Sequence, residues 1–133
     1  MKKRILVVDD EQEITRLVKL ILEQTGRYEV RTENLGRKTI EAAREFRPDL
    51  ILLDVMMPGV LGSDIGAQLQ ADPELHTIKF VFLTAMVTKE EALKSAGKIG
   101  GHTFVAKPIS AEELCRVIED HLPQLKRSLV ARN

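Results

Sequence analysis

The sequence predicts an α/β domain, a single doubly wound five-stranded parallel sheet with helices on both faces. Three observations predict it. Four short apolar runs are continuous rather than alternating: Ile5–Val8, Leu50–Leu53, Phe80–Leu83 and the weaker Thr103–Ala106. Continuous apolarity over that length belongs to strands buried on both faces, as in a parallel sheet. Helical patterns separate the runs, so strand and helix alternate five times, which implies right-handed crossovers and an open sheet.

The elements follow in order. After Ile5–Val8, the residues Ile14, Leu17, Val18, Ile21 and Leu22 form an i, i+3, i+4, i+7, i+8 stripe, and Gly26 suits its termination. Tyr28–Thr32 alternates apolar with polar, the pattern of an edge strand with one wetter face. Residues 36–47 place Ile40, Ala43 and Phe46 on one side and stop before Pro48. A weakly patterned third helix, about 62–71, runs around Ile65 and Leu69 and is closed by Asp72-Pro73. The fourth opens with Thr88–Glu91 and the fifth with Ser110–Glu113, both capping boxes. The fifth carries Leu114, Val117, Ile118, Leu122 and Leu125 at helical spacing, with Pro123 placed to kink or end it.

Composition bounds the class. The chain has 133 residues, the size of one domain. Hydrophobic and charged fractions of 44% and 30% are those of an ordinary globular protein. A formal net charge of zero gives no bulk electrostatic case for a nucleic-acid or membrane partner. The single Cys115 cannot form an internal disulfide, which fits a reducing cytoplasm. The basic start Met1–Arg4 is followed by only Ile5–Val8 before two aspartates, too short for a signal peptide. No apolar run approaches the roughly 20 residues that span a bilayer. The expectation is a soluble, cytoplasmic domain over residues 1–125 with a tail at 126–133.

In open sheets of this kind ligands bind beyond the carboxyl ends of the strands. Strand 1 ends in Asp9-Asp10, strand 3 in Asp54, strand 4 in Thr84-Ala85 and strand 5 in Lys107-Pro108. Three carboxylates, a hydroxyl and an ammonium therefore meet at one rim. Carboxylates so close repel one another, so either a pKa rises or a cation sits among them. Mg2+ suits a few carboxylates together with waters and phosphate oxygens. Lys107 is then in excess for resting charge balance, and it makes sense if a further anion, a phosphoryl group, arrives while one carboxylate attacks it.

Each residue alone has a plainer explanation. Asp10 could cap the first helix, Asp54 before Pro58-Gly59 could be a solvated loop residue, Thr84 a last strand pleat, and Lys107-Pro108 a turn. Their arrival together at one edge of one sheet is what those explanations do not cover.

With Asp9-Asp10, the Asp54-Val55-Met56-Met57-Pro58 segment, Thr84-Ala85, Phe104 and Lys107-Pro108 in order, the chain resembles the receiver domain of bacterial two-component response regulators, similar to the stand-alone chemotaxis type, from about Lys3 to Leu122. The resemblance implies the flavodoxin-like strand order 2-1-3-4-5. It implies that Asp54 is the phosphoacceptor in a phosphorelay, taking its phosphoryl group from a sensor histidine kinase, a phosphotransfer protein or a small donor such as acetyl phosphate. Asp10 would bind Mg2+ directly and Asp9 mostly through water, with the carboxylate of Asp54 and the backbone carbonyl of Met56 completing the set. Thr84 would move to hydrogen-bond the phosphoryl group, Lys107 would pair with its oxygens, and Phe104 would turn inward as the switch aromatic. The Lys107-Pro108 bond would be cis. The output would be a protein target read at the face of helix 4, strand 5 and helix 5, by a monomer or a phosphorylation-dependent dimer, with no direct nucleic-acid or membrane contact. The domain would not be an enzyme, though it would assist its own phosphorylation and dephosphorylation.

Several departures matter. Leu61 replaces a frequent aspartate, Gly100-Gly101 a commoner Gly-Ala, and Phe104 a frequent tyrosine. Met56 and Met86, two positions beyond Asp54 and Thr84, offer no polar side chain to orient an attacking water, which predicts slow self-dephosphorylation. His76, His102 and His121 are dispersed and read as surface or loop residues rather than metal ligands. The basic Lys126, Arg127 and Arg132 read as a solvated end. A phosphatase using a strand-end aspartate would want a second aspartate where Met56 stands, together with a substrate cap domain. A flavin or nucleotide binder would want a Gly- or Ser/Thr-rich loop where Asp9-Asp10-Glu11 stands. A degenerate, phosphate-independent receiver-like module would not need the intact acid cluster. The receiver piece of a longer DNA-binding regulator or hybrid kinase is the remaining alternative.

Overall fold

A computed structural model describes residues 2–85, 98–99, 102–107 and 110–122 of the chain. The strands are β1 (Lys3–Val8), β2 (Tyr28–Glu33), β3 (Leu50–Asp54), β4 (Met56–Met57), β5 (Val60–Leu61), β6 (Lys79–Thr84), β7 (Lys98–Ile99) and β8 (His102–Ala106). The helices are α1 (Gln12–Gln24), α2 (Thr39–Phe46), α3 (Gly62–Ala71) and α4 (Ala111–His121). The main sheet runs β2-β1-β3-β6-β8-β7. Its first five members are the five predicted strands, all parallel and in the predicted order. β7 is an addition, a two-residue strand antiparallel to β8 that continues the sheet at its far edge.

Alternation along the strands builds two cores. Ile5 and Val7 of β1, Leu50 and Leu52 of β3, and Val81 and Leu83 of β6 pack with Val18 and Leu22 of α1 and Leu114 and Ile118 of α4. Leu6, Val8, Ile51, Leu53 and Phe82 point the other way, to Ala42 and Ala43 of α2 and Ile65 and Leu69 of α3. The apolar runs are continuous in sequence because each face of the sheet has its own helical layer to fill. Burying side chains of this size contributes about 1.5–3 kcal/mol each.

Local chemistry sets the boundaries. The Ser110 hydroxyl accepts a hydrogen bond from Glu113 N at 3.1 Å, so the predicted fifth helix, α4, is capped as expected. Arg47 takes a left-handed conformation (φ 53°) and its N–H reaches Ala43 O, closing α2 before Pro48. Gly36–Lys38 is a 3-10 turn, so the second predicted helix becomes regular only at Thr39. Leu17 departs from expectation, being 43% exposed, because α1 turns Thr15, Val18 and Leu22 to the core and leaves Leu17 beside the exposed Leu20. Asp10 does not cap α1; Glu11 stands at the N-cap without a side-chain bond.

The expected fourth helix, Met86, Gly100-Gly101, the Lys107-Pro108 bond, Pro123 and the tail at 126–133 lie outside the described residues. Among the described residues no helix is long and apolar enough to cross a membrane.

Candidate functional site

The sheet order reverses between β1 and β3, and the candidate residues gather at the carboxyl ends of the strands around that point. Asp54 is the last residue of β3 and is 5% exposed, while Asp9 directly follows β1 and is fully buried. Asp10 beside it is exposed. One carboxylate oxygen from each of the three lies within 4.8 Å of the others. Thr84 ends β6, is 2% exposed, and its backbone carbonyl accepts a 2.9 Å hydrogen bond from Lys107 N. That bond ties the segment after β8 to the end of β6.

Lys107 reaches across the rim. Its Nζ lies 2.6 Å from Asp9 Oδ2, 3.6 Å from Asp54 Oδ1 and 3.7 Å from Glu11 Oε1. The resting ammonium thus belongs foremost to Asp9. Burial alone would lower the pKa of Lys107, but the hydrogen bond and charge of Asp9, with the charges of Asp54 and Glu11, outweigh it and raise the pKa. Asp54 is pushed up to about 6, first by burial and then by the charge of Asp9, against the opposing pull of Lys107. One cation does not neutralise this many carboxylates.

The loops hold the acids in place. Asp9 Oδ1 accepts from Glu11 N at 2.9 Å, and the Asn34 amide donates to Asp9 O at 2.8 Å and to Thr15 Oγ1 at 3.1 Å. Beyond β3 the chain turns through the β4–β5 hairpin, whose two-residue loop is Pro58-Gly59 with Gly59 at φ 78°. It returns to hydrogen-bond Gly62 N to Val55 O at 2.7 Å. A side chain at Gly62 would run into the Asp54 carbonyl and come within 2.9 Å of Val55 Cα. The start of α3 therefore presses directly on the backbone that carries Asp54. Met56, in β4, is 55% exposed at the same rim. Phe104 is half-buried on β8, its ring centroid 5.2 Å from that of Phe82.

All seven residues expected at the site are among those described, and the carboxylates and Lys107 come together as expected. Asn34, Glu11 and Gly62 were not foreseen as parts of it. Asp9-Asp10-Glu11 as an acidic triplet could have flagged Glu11; nothing in the local sequence flags Asn34.

The donor set fits a hard divalent cation. It offers only oxygens, three of them from carboxylates, and Asp9 Oδ2 is buried beside Lys107 without a well-aligned hydrogen bond.

Comparison with known proteins identifies the family to which this fold and rim belong. The family model for the response regulator receiver domain matches residues 5–119. The polar-differentiation response regulator DivK of Brucella anthropi is 33% identical over 124 residues, covering 92% of this chain and 98% of its own. The chemotaxis response regulator CheY4 of Vibrio cholerae is 28% identical and superposes with a TM-score of 0.75, over 91% of this chain and 99% of that one. The signal receiver domain of a signal transduction histidine kinase from Syntrophus aciditrophicus is 31% identical with a TM-score of 0.75, over 94% and 93% of the two chains. With a family match from the first core strand to the last turns of α4, the chain belongs to the response regulator receiver domain family.

Proposed function

We propose that Asp54 accepts a phosphoryl group from the phosphohistidine of a sensor histidine kinase or phosphotransfer protein, or from acetyl phosphate. The observation that carries this reading is the placement of Asp54. It stands nearly buried at the end of the central strand, with two carboxylates and one ammonium converging on it. A carboxylate oxygen of Asp54 attacks phosphorus, the P–O bond forms, and the bond to the donor breaks with the leaving group taking a proton. Asp9, Asp10, Asp54 and the Met56 carbonyl would hold Mg2+, which when bound offsets charge on the transferring phosphoryl oxygens.

Lys107 holds the acids in the resting state and is within reach of a group growing from Asp54. It would exchange Asp9 for the new anion. Thr84 stands at the end of the neighbouring strand, where its hydroxyl would donate to the phosphoryl group and draw its loop inward. Phe104, packed on Phe82, would follow into the space vacated. Phosphorylation adds roughly one to one and a half negative charges and new acceptor oxygens. Moving a two-state surface from mostly off to mostly on needs about 5 kcal/mol of differential interaction. A charge-assisted bond from Lys107, one from Thr84, and the metal are together of that size. The reader of the switched surface would be a protein partner at the face that includes β8 and α4.

Intact-mass analysis after incubation with acetyl phosphate tests the proposal. One phosphoryl group on the wild type, none on Asp54→Ala and none after chelation of the metal is the expected result. Addition to Asp54→Ala at the wild-type rate would remove Asp54 from its role.

A further inference from the structure

The histidines do not stay dispersed. His76 lies in the turn before β6, His102 opens β8 and His121 ends α4, and all three line one pocket of about 260 Å³ at the amino ends of β6 and β8. His102 and His121 are half-buried on regular elements rather than in loops. This is the pole of the sheet opposite Asp54, so the pocket is separate from the acidic site. Lys79, Gln70 and Thr77 add further donors to the walls, Ile78 and Phe80 supply apolar surface, and among the described residues no carboxylate lines it.

Local contacts hold the walls in place. His121 Nδ1 is 2.9 Å from Val117 O, a carbonyl that can only accept, which places a proton on Nδ1; its Nε2, 3.2 Å from Thr103 Oγ1, then accepts from that hydroxyl, so both ring nitrogens are engaged within the protein. Lys79 Nζ donates to His121 O at 2.9 Å, leaving its other protons for another acceptor. The carbonyl end of α4 is thereby covered where it faces the pocket. His102 is stacked on Phe80 and edge-on to Phe82, which fixes its ring plane. Three acids on the flanking segments are paired with arginines: Asp72 with Arg44, Glu74 with Arg47 and Glu119 with Arg27. A shared metal ion is disfavoured. Among the described residues only the three aspartates bring ligand atoms within 4.8 Å of one another, and the Lys79 ammonium would repel a cation.

We propose that this pocket binds a small organic anion, its carboxylate or phosphate held by Lys79, His76 and His102 and its body resting on Phe80. The volume is near the lower end for small-molecule pockets, which suits a compact metabolite rather than a large cofactor.

The chain has three histidines, all at this pocket, so their imidazole proton resonances report on it directly. Citrate and inorganic phosphate are titrated separately at fixed pH and ionic strength, with chloride as the control, into the wild type, Lys79→Ala and Asp54→Ala. The expected result is one saturating curve shared by all three imidazoles, with a midpoint near or below about 1 mM for at least one of the two anions. Whether citrate or phosphate binds more tightly separates a carboxylate from a phosphate ligand. In Lys79→Ala the midpoint rises about tenfold or more, the worth of one charge-assisted hydrogen bond; in Asp54→Ala it is unchanged, whatever that variant does to phosphorylation. Shifts that grow without saturating, that chloride reproduces, or that persist unaltered in Lys79→Ala overturn the proposal, as does saturation by Zn2+ alone.

Discussion

Replacing Asp54 with asparagine removes one charge from the acidic cluster while keeping nearly the same shape. The Asp54 carboxyl is raised from 3.8 to about 6, by burial first and the charge of Asp9 second. The folded chain therefore binds this proton more tightly than the unfolded chain between those two values. The contribution of Asp54 to stability is most favourable below the unfolded value, falls as pH rises through that window, and carries the full penalty above about 6. A rise of about two units corresponds to roughly 3 kcal/mol at most. Asparagine has no carboxyl to titrate, so without divalent metal at about pH 7.5 the variant should be the more stable by about 1–3 kcal/mol. For a domain of this size that is a melting temperature higher by roughly 4–12 °C. Urea denaturation followed by circular dichroism in chelator is the assay, repeated near pH 4, where the gap should close. Added Mg2+ should narrow it by stabilising the wild type preferentially. A variant equal to or less stable than the wild type at pH 7.5 without metal would refute the reasoning, because Lys107 would then already satisfy the cluster.

Three further outcomes follow from the same geometry. Gly62→Ala drives a methyl group into the Asp54 carbonyl and toward Val55 Cα. It should cost about 1–3 kcal/mol in urea denaturation and slow phosphorylation by displacing the end of β3. Lys107→Ala leaves the fully buried Asp9 without its cation; the loss should be about 3 kcal/mol in chelator, with part recovered by Mg2+ in the same denaturation assay. Met56→Asn, at an exposed rim position, supplies a polar group for an attacking water. It should speed loss of the phosphoryl group about tenfold, followed as decay of the phosphorylated intact mass; an unchanged decay would show that the apolar Met56 is not what slows hydrolysis.

How much of this was legible in the residues depended on whether the signal was local. Leu50–Leu53 and Phe80–Leu83 announce doubly buried strands because burial on both faces removes the polar alternation. Asp9, Asp54, Thr84 and Lys107 announce the site because strand ends in a parallel sheet share one rim. Leu17 was misjudged because the apolar stripe of α1 is wider than the face it buries. The place of Gly62 depends on the hairpin that brings it back to Val55, a long-range closure that neither flanking residue signals. The gathering of His76, His102 and His121 likewise depends on which strand ends and helix end meet at the far pole, and sequence spacing carries no trace of it.

The central claim is that the phosphoryl group lands on Asp54, and the most direct test locates it chemically. The chain is phosphorylated with acetyl phosphate and Mg2+, reduced with borohydride, which converts an aspartyl phosphate to homoserine, and mapped by peptide mass spectrometry. Homoserine at position 54 alone, absent when Mg2+ is chelated, is the predicted result. Homoserine at position 9 or 10, or at no position in a chain that has demonstrably gained a phosphoryl group, would contradict the account.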